Sequence, residues 1–218
     1  MATWMMHLRV AELVAPYLGS IDETAYYVGC IAPDSGRMVD DFTYLPSKDV
    51  SHWKRDEVSY EQRFLDNYAF FEKYGKNEED KFKKSLFLGY YVHILTDTVY
   101  VRDVIHPFIE ERGKPFWRAN ITNIRNGWYE LDYRFVSENP NYRPLEIISA
   151  VSEFPNVYFD YFTPDDITER ILYAAKLYKN PSVNPNQEFL TIDKSRQEEL
   201  IGQMVEIILN ELKKHKII

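Results

Sequence analysis

Apolar residues recur along this chain at the spacing of one helix face, with polar runs and helix breakers between them. Trp4, Met5, Leu8, Ala11, Ala15 and Leu18 form a first stripe, kinked at Pro16, that carries His7 and stops at Gly19. Ser20 and Glu23 make a capping-box pair that starts a second helix over 21–31, closed by Pro33. Over 32–57 the period is lost. Two turn clusters, Pro33-Asp34-Ser35-Gly36 and Pro46-Ser47-Lys48-Asp49, predict a long connecting loop of the kind that often bears function. Ser59 and Gln62 open a helix running to Tyr74, where Gly75 stops it. The charged stretch 77–84 leads into a central helix, whose aromatic run over 89–100 is interrupted by one imidazole, His93, and one carboxylate, Asp97.

The pattern continues with a helix over 117–136, a break at 139–144 and a short helix near 145–153. Thr163-Pro164-Asp165-Asp166 predicts a helix capped by Thr163 that ends near Lys179. The segment 180–186 reads as a surface loop, and Asp193 caps a final amphipathic helix ending in Lys213, Lys214 and Lys216. No repeat, low-complexity tract or run of strands emerges from the sequence, so the predicted fold class is all-α.

At 218 residues and 45% hydrophobic content, the chain is long enough to bury a core as one domain over 1–218. Its 17 Tyr and 13 Phe against 8 Gly predict large side chains filling a helical interior, with hydroxyls that seek partners or line a pocket. The formal net charge of -8 repels phosphate polymers and anionic surfaces, which disfavours nucleic acid as a partner unless a local patch or bound cations reverse the field. The single Cys30 excludes an intramolecular disulfide framework and a cysteine-rich zinc knuckle, and is itself expected in the core. His7 and Arg9 interrupt the apolar run that a secretory signal needs, and no stretch approaches membrane-spanning length, so the expected location is cytoplasmic.

His93 and Asp97 stand four apart, so on a helix they project from one face a turn apart and can reach a single cation. A buried carboxylate in that setting needs a partner, because its charged form is costly to desolvate. His7, His52 and His106, with Asp34, complete a set of nitrogen and oxygen donors suited to zinc or a similar divalent ion. Three or four such ligands leave a position for water, whose pKa the ion lowers toward ~7. Taken singly, each residue also has a purely structural reading. His7 reads as a core histidine, His93 with Asp97 as a buried ion pair, Asp34 as a turn cap and His52 as an exposed loop imidazole. Asp132 reads as a surface or helix-bridging carboxylate, or as an orienting partner for a ligating His, and His215 as a solvated residue in a lysine-rich last turn.

Four segments, Trp4-x-x-His7, Ile31-Ala32-Pro33-Asp34, Ser51-His52-Trp53 and Gly89-Tyr-Tyr-Val-His93-Ile-Leu-Thr-Asp97, resemble in the same order the metal-binding segments of the zinc-dependent phospholipase C family. The resemblance implies a mostly helical fold and one to three Zn2+ ions that cleave a phosphodiester bond through metal-activated water. It implies Asp34, His52, His93 and Asp97 as ligands of one ion, and His7 with a bridging Asp97 as part of a second site. His106-Pro-Phe-Ile-Glu110 is similar to the family's His-x-x-x-Glu pair, though closer to His93, with Asp103 where another His would stand. Trp4 is internal, whereas the secreted members complete a metal site with the backbone of a terminal Trp, and phosphatidylcholine specificity is not carried over. The expectation is a metal-dependent hydrolase of a small-molecule or lipid-derived phosphoester, with water as nucleophile and Asp34 or Glu110 as proton acceptor. Two other readings stand beside it. One is a nucleotide phosphohydrolase of the histidine-aspartate class, although the chain has no adjacent His-Asp pair; the other is a non-catalytic binding or scaffolding module with a structural or vestigial metal site.

Overall fold

In the computed structural model, which describes residues 2–40, 43–55 and 58–218, helices form along the apolar stripes, and several begin at a side chain that accepts an orphaned backbone N–H. Thr3 caps α1 (Trp4–Val14), Asp22 caps α2 (Glu23–Gly29), Ser47 caps α3 (Lys48–Ser51), Ser59 caps α4 (Tyr60–Tyr74) and Asp80 caps α5 (Lys81–Tyr100). A π-helical turn, Val101–Ile105, joins α5 to α6 (His106–Arg112). Then come α7 (Lys114–Glu138), α8 (Arg143–Ala150), α9 (Asp166–Lys179) and α10 (Lys194–Lys214), the last capped by Asp193. Among the described residues, no helix is long and apolar enough to cross a membrane.

Several local expectations give way to better partners. Asp22, not Ser20, caps α2, because its carboxylate reaches the Ala25 N–H at 2.9 Å. The break expected over 139–144 does follow the end of α7 at Glu138, but α8 takes up the last two of those residues, since Pro144, having no N–H, leaves no bond unmade in a first turn. At α9 the bond runs the other way, with Asp166 accepting from the Thr163 N–H at 2.7 Å. The span read as loop carries a 3-10 turn, Ala32–Asp34, an antiparallel hairpin of β1 (Arg37–Asp40) and β2 (Thr43–Leu45), and α3. Strands of four and three residues are too short for an alternation to stand out. The predicted end of that loop at Glu57 lies outside the described residues.

Every residue of α5 from Ser85 to Tyr100 is buried. A helix that is apolar all round demands neighbours on all sides, and α1, α2, α4 and α10 supply them. Leu86, Tyr90, Tyr91 and Ile94 are fully buried, and burying a large apolar side chain contributes about 1.5–3 kcal/mol. The α2–α5 contact is made through glycines. A Cβ on Gly89 would stand 2.0 Å from the Tyr26 carbonyl oxygen, and one on Gly29 2.2 Å from that of Leu86. This approach brings the carbonyl of Cys30, which is buried as expected, against the ring of His93.

The start of α1 is tied to the second half of the chain. Asp132 of α7 is buried and accepts from the Thr3 hydroxyl at 2.8 Å and the Tyr178 hydroxyl at 2.7 Å, so it bridges helices and does not orient a histidine. Burial outweighs those two bonds and raises its carboxyl from 3.8 to about 7.

Two consequences can be measured. Gly89→Ala should lower the free energy of unfolding by about 2–3 kcal/mol despite its better helix propensity, because the added methyl meets backbone. A urea melt that matches wild type would show that the helices do not approach this closely. For Asp132, the unfolded chain ionises near pH ~4 while the folded chain keeps its proton until about pH 7. Between those values stability should therefore fall as pH rises, by an amount on the order of 4 kcal/mol, and the loss should be complete above the folded value. The difference in unfolding free energy between wild type and Asp132→Asn reads this out, and a difference that does not vary with pH would refute it.

Candidate metal centre

Three separate stretches deliver imidazoles to one place: His7 from α1, His52 from the residue that closes α3, and His93 from the middle of α5. All three are buried. The rings of His7 and His93 stack at 3.6 Å with 6° between their planes, and His52 stands edge-on to His93 at 5.3 Å. Asp97, one turn beyond His93, lies among them. Its Oδ1 is 3.4 Å from His7 Nε2, while its Oδ2 is 3.4 Å from His52 Nε2 and 3.8 Å from His93 Nε2. Asp34, at the end of the 3-10 turn, places Oδ1 3.5 Å from His52 Nε2. Two overlapping triads result, His7 with His93 and Asp97, and Asp34 with His52 and His93.

The donors are braced from behind. His93 Nδ1 lies 2.7 Å from the Cys30 carbonyl, so that nitrogen carries the proton and Nε2 turns its lone pair toward the cluster. Ser51 Oγ is 2.9 Å from His52 Nδ1. Trp4 Nε1 donates to Asp34 Oδ2 at 2.8 Å, the Lys48 ammonium bonds Asp34 Oδ1, and the Ala2 N–H donates to Asp97 Oδ1 at 2.8 Å. Burial would raise both carboxyls, yet the Lys48 ammonium, with His52, holds Asp34 well below the usual carboxylate range, and His52 and His7 do the same for Asp97. Burial, reinforced by His7, pushes His93 well below the ordinary imidazole value. Its ring is neutral at neutral pH.

Both nitrogens of His7, Nε2 of His52, Nε2 of His93 and Oδ2 of Asp97 are buried without a hydrogen-bond partner among the described residues. Most buried polar atoms have one. Donors about 2.0–2.1 Å from a tetrahedral zinc stand about 3.3–3.4 Å from each other. The observed N···O gaps of 3.4, 3.5 and 3.8 Å are close to that and long for hydrogen bonds. The chemistry and spacing of these residues fit a divalent cation.

His106 and Glu110 are not brought to this cluster. They are exposed on α6, and His106 lies about three and a half turns past His93, which rotates it away from the side His93 faces. Its Nδ1 is bonded to the Tyr60 hydroxyl, and Asp103 pairs with Arg102. His215 stacks on Tyr68 at 3.6 Å instead of standing in solvent. Sequence reasoning passed over Lys48 and the Cys30 carbonyl. For Lys48 there was a signal, its position four residues before His52 on one helical face. For the carbonyl there was none, since it depends on two helices meeting at glycines. Asp34, Lys48 and Trp4 also line a cleft of about 520 Å³ beside the cluster.

A family model described as zinc dependent phospholipase C matches residues 6–181, a span that holds all five clustered residues. No curated protein and no solved structure matches the chain. The family match covers most of the 218 residues, and the chain therefore belongs to the zinc-dependent phospholipase C family.

Proposed function

We propose that residues 1–218 act as one zinc-dependent hydrolase domain that cleaves phosphoesters, with phosphodiesters preferred over monoesters. The observation that supports this most is the set of buried nitrogens and oxygen that face one another with no hydrogen bond to satisfy them. His7, Asp34, His52, His93 and Asp97 would hold the metal, and Asp97 faces two positions through its separate oxygens. Zinc bound there would supply an acidified water and positive charge for the phosphoryl oxygens. The chain's own residues do the positioning. Cys30 and Ser51 fix the His93 and His52 rings, and the Lys48 ammonium in the cleft wall adds a fixed positive charge beside the reacting group. Asp34, ionised throughout the neutral range, is the acceptor for a proton released in the cleft. Its Oδ2, which the Trp4 N–H alone occupies, would pass that proton to solvent, since so weak a base does not keep it, and Oδ1 would stay with Lys48 and the metal position.

The test joins metal content with turnover on bis(p-nitrophenyl) phosphate and p-nitrophenyl phosphate. His93→Ala should lose zinc and at least about a hundredfold in turnover while keeping its helical circular dichroism, whereas His106→Ala should keep both metal and activity. Zinc retained by wild type with no turnover on either compound would sink the enzyme reading in favour of a helical scaffold with a structural ion. Equal loss in His106→Ala would mean that the metal-binding residues extend onto α6.

A further inference from the structure

The cleft beside Asp34 carries a charge pattern that the chain as a whole does not. Against a net charge of -8, its walls present three cations, Lys48, Arg125 and Arg170, and one carboxylate, Asp34, which Lys48 already bonds. Among the described residues, the arginines paired to carboxylates do not include Arg125 or Arg170. Arg170 donates to the Gly36 carbonyl at 2.9 Å, but its Nε is buried with no partner. That nitrogen is out of water's reach, but the guanidinium as a whole lines the cleft without a carboxylate partner, and an anion is the partner its fork geometry suits.

The aromatic walls strengthen the point. Rings such as Trp4 and Tyr173 could otherwise cage a quaternary ammonium. Here the Arg170 guanidinium already lies over both, 5.2 Å from the Trp4 ring and 5.8 Å from that of Tyr173. A second cation on those faces would meet like charge. Trp4 also bonds Asp34, so the arginine stands one indole away from the metal cluster, beside the reacting phosphoryl group and not among its candidate ligands.

We infer that the cleft selects phosphoesters whose non-scissile part bears a second anionic group, a phosphate or carboxylate held by Arg170 and Arg125. This rests on the hydrolase reading above. The same chemistry can come from a lipid headgroup or from a soluble ester.

Calorimetric titration of the zinc-loaded protein separates the possibilities. Glycerophosphoinositol 4-phosphate carries a second phosphate, while glycerophosphocholine carries a quaternary ammonium, and each also has a dihexanoyl form. The phosphoinositide should bind about tenfold tighter than the choline ester. Arg125→Gln, an exposed substitution, and Arg170→Gln should each weaken it roughly threefold to tenfold, and weaken the choline ester less. Preference for the dihexanoyl forms assigns the anion to a lipid, and equal binding assigns it to a soluble ester. Choline ester binding that equals or exceeds phosphoinositide binding overturns the inference, whatever happens to bis(p-nitrophenyl) phosphate. Anion preference without hydrolysis of that diester leaves the selectivity standing and removes the hydrolase reading instead.

Discussion

The geometry of the site depends on one contact, the bond between His93 Nδ1 and the Cys30 carbonyl at 2.7 Å in the seam between α2 and α5. It settles which nitrogen of a fully buried ring keeps the proton, and so which lone pair faces His52, His7 and Asp97. The carbonyl can stand there only because Gly29 and Gly89 let the two backbones touch. A helix-packing constraint set by two uncharged residues thereby decides the chemistry of the central imidazole.

That arrangement is poor for stability by itself. Five buried polar atoms in the cluster lack hydrogen bonds, and leaving one such atom unsatisfied costs about 1–3 kcal/mol. A helix as thoroughly buried as α5 can offset a deficit of this size. A cation that binds only the folded chain would turn the deficit into coupling between folding and metal. The carboxylates need less help, because imidazoles and, at Asp34, an ammonium and an indole N–H already face them.

Much of this was legible in the sequence, for reasons that differ by element. The stripes of α1 and α5 could be read because core burial imposes a period on apolar side chains, and the i,i+4 spacing put His93 and Asp97 on one face before any packing was known. Convergence of His7, Asp34 and His52 with them was legible only through the order of four short segments that resemble a family; no local rule joins residues so far apart in the chain. His106 and Glu110 show the limit of such reading. Their spacing mimics a ligand pair, but phase along α5, the π turn and α6 turns them outward. The hairpin was missed because its strands are too short to impose alternation, and the Cys30 carbonyl because backbone atoms leave no mark in a sequence.

The four recognisable segments lie in the first half of the chain, yet they do not hold the site together alone. α1 brings His7 to the cluster only while its start is fixed, and the residues that fix it come from further on. Asp132 and Tyr178 join the Thr3 hydroxyl in one chain of bonds, and the Tyr178 hydroxyl also takes the Met5 N–H at 3.3 Å. Arg9, one residue past Leu8, lies 4.1 Å over the Phe135 ring and donates to Gln197 at 3.1 Å. Helices α7, α9 and α10 therefore hold α1 in place. The stacking of His7 on His93, and with it the gap into which Asp97 reaches, is a property of the whole chain, so a fragment carrying only the recognisable segments would have the donors without the means to hold them in place.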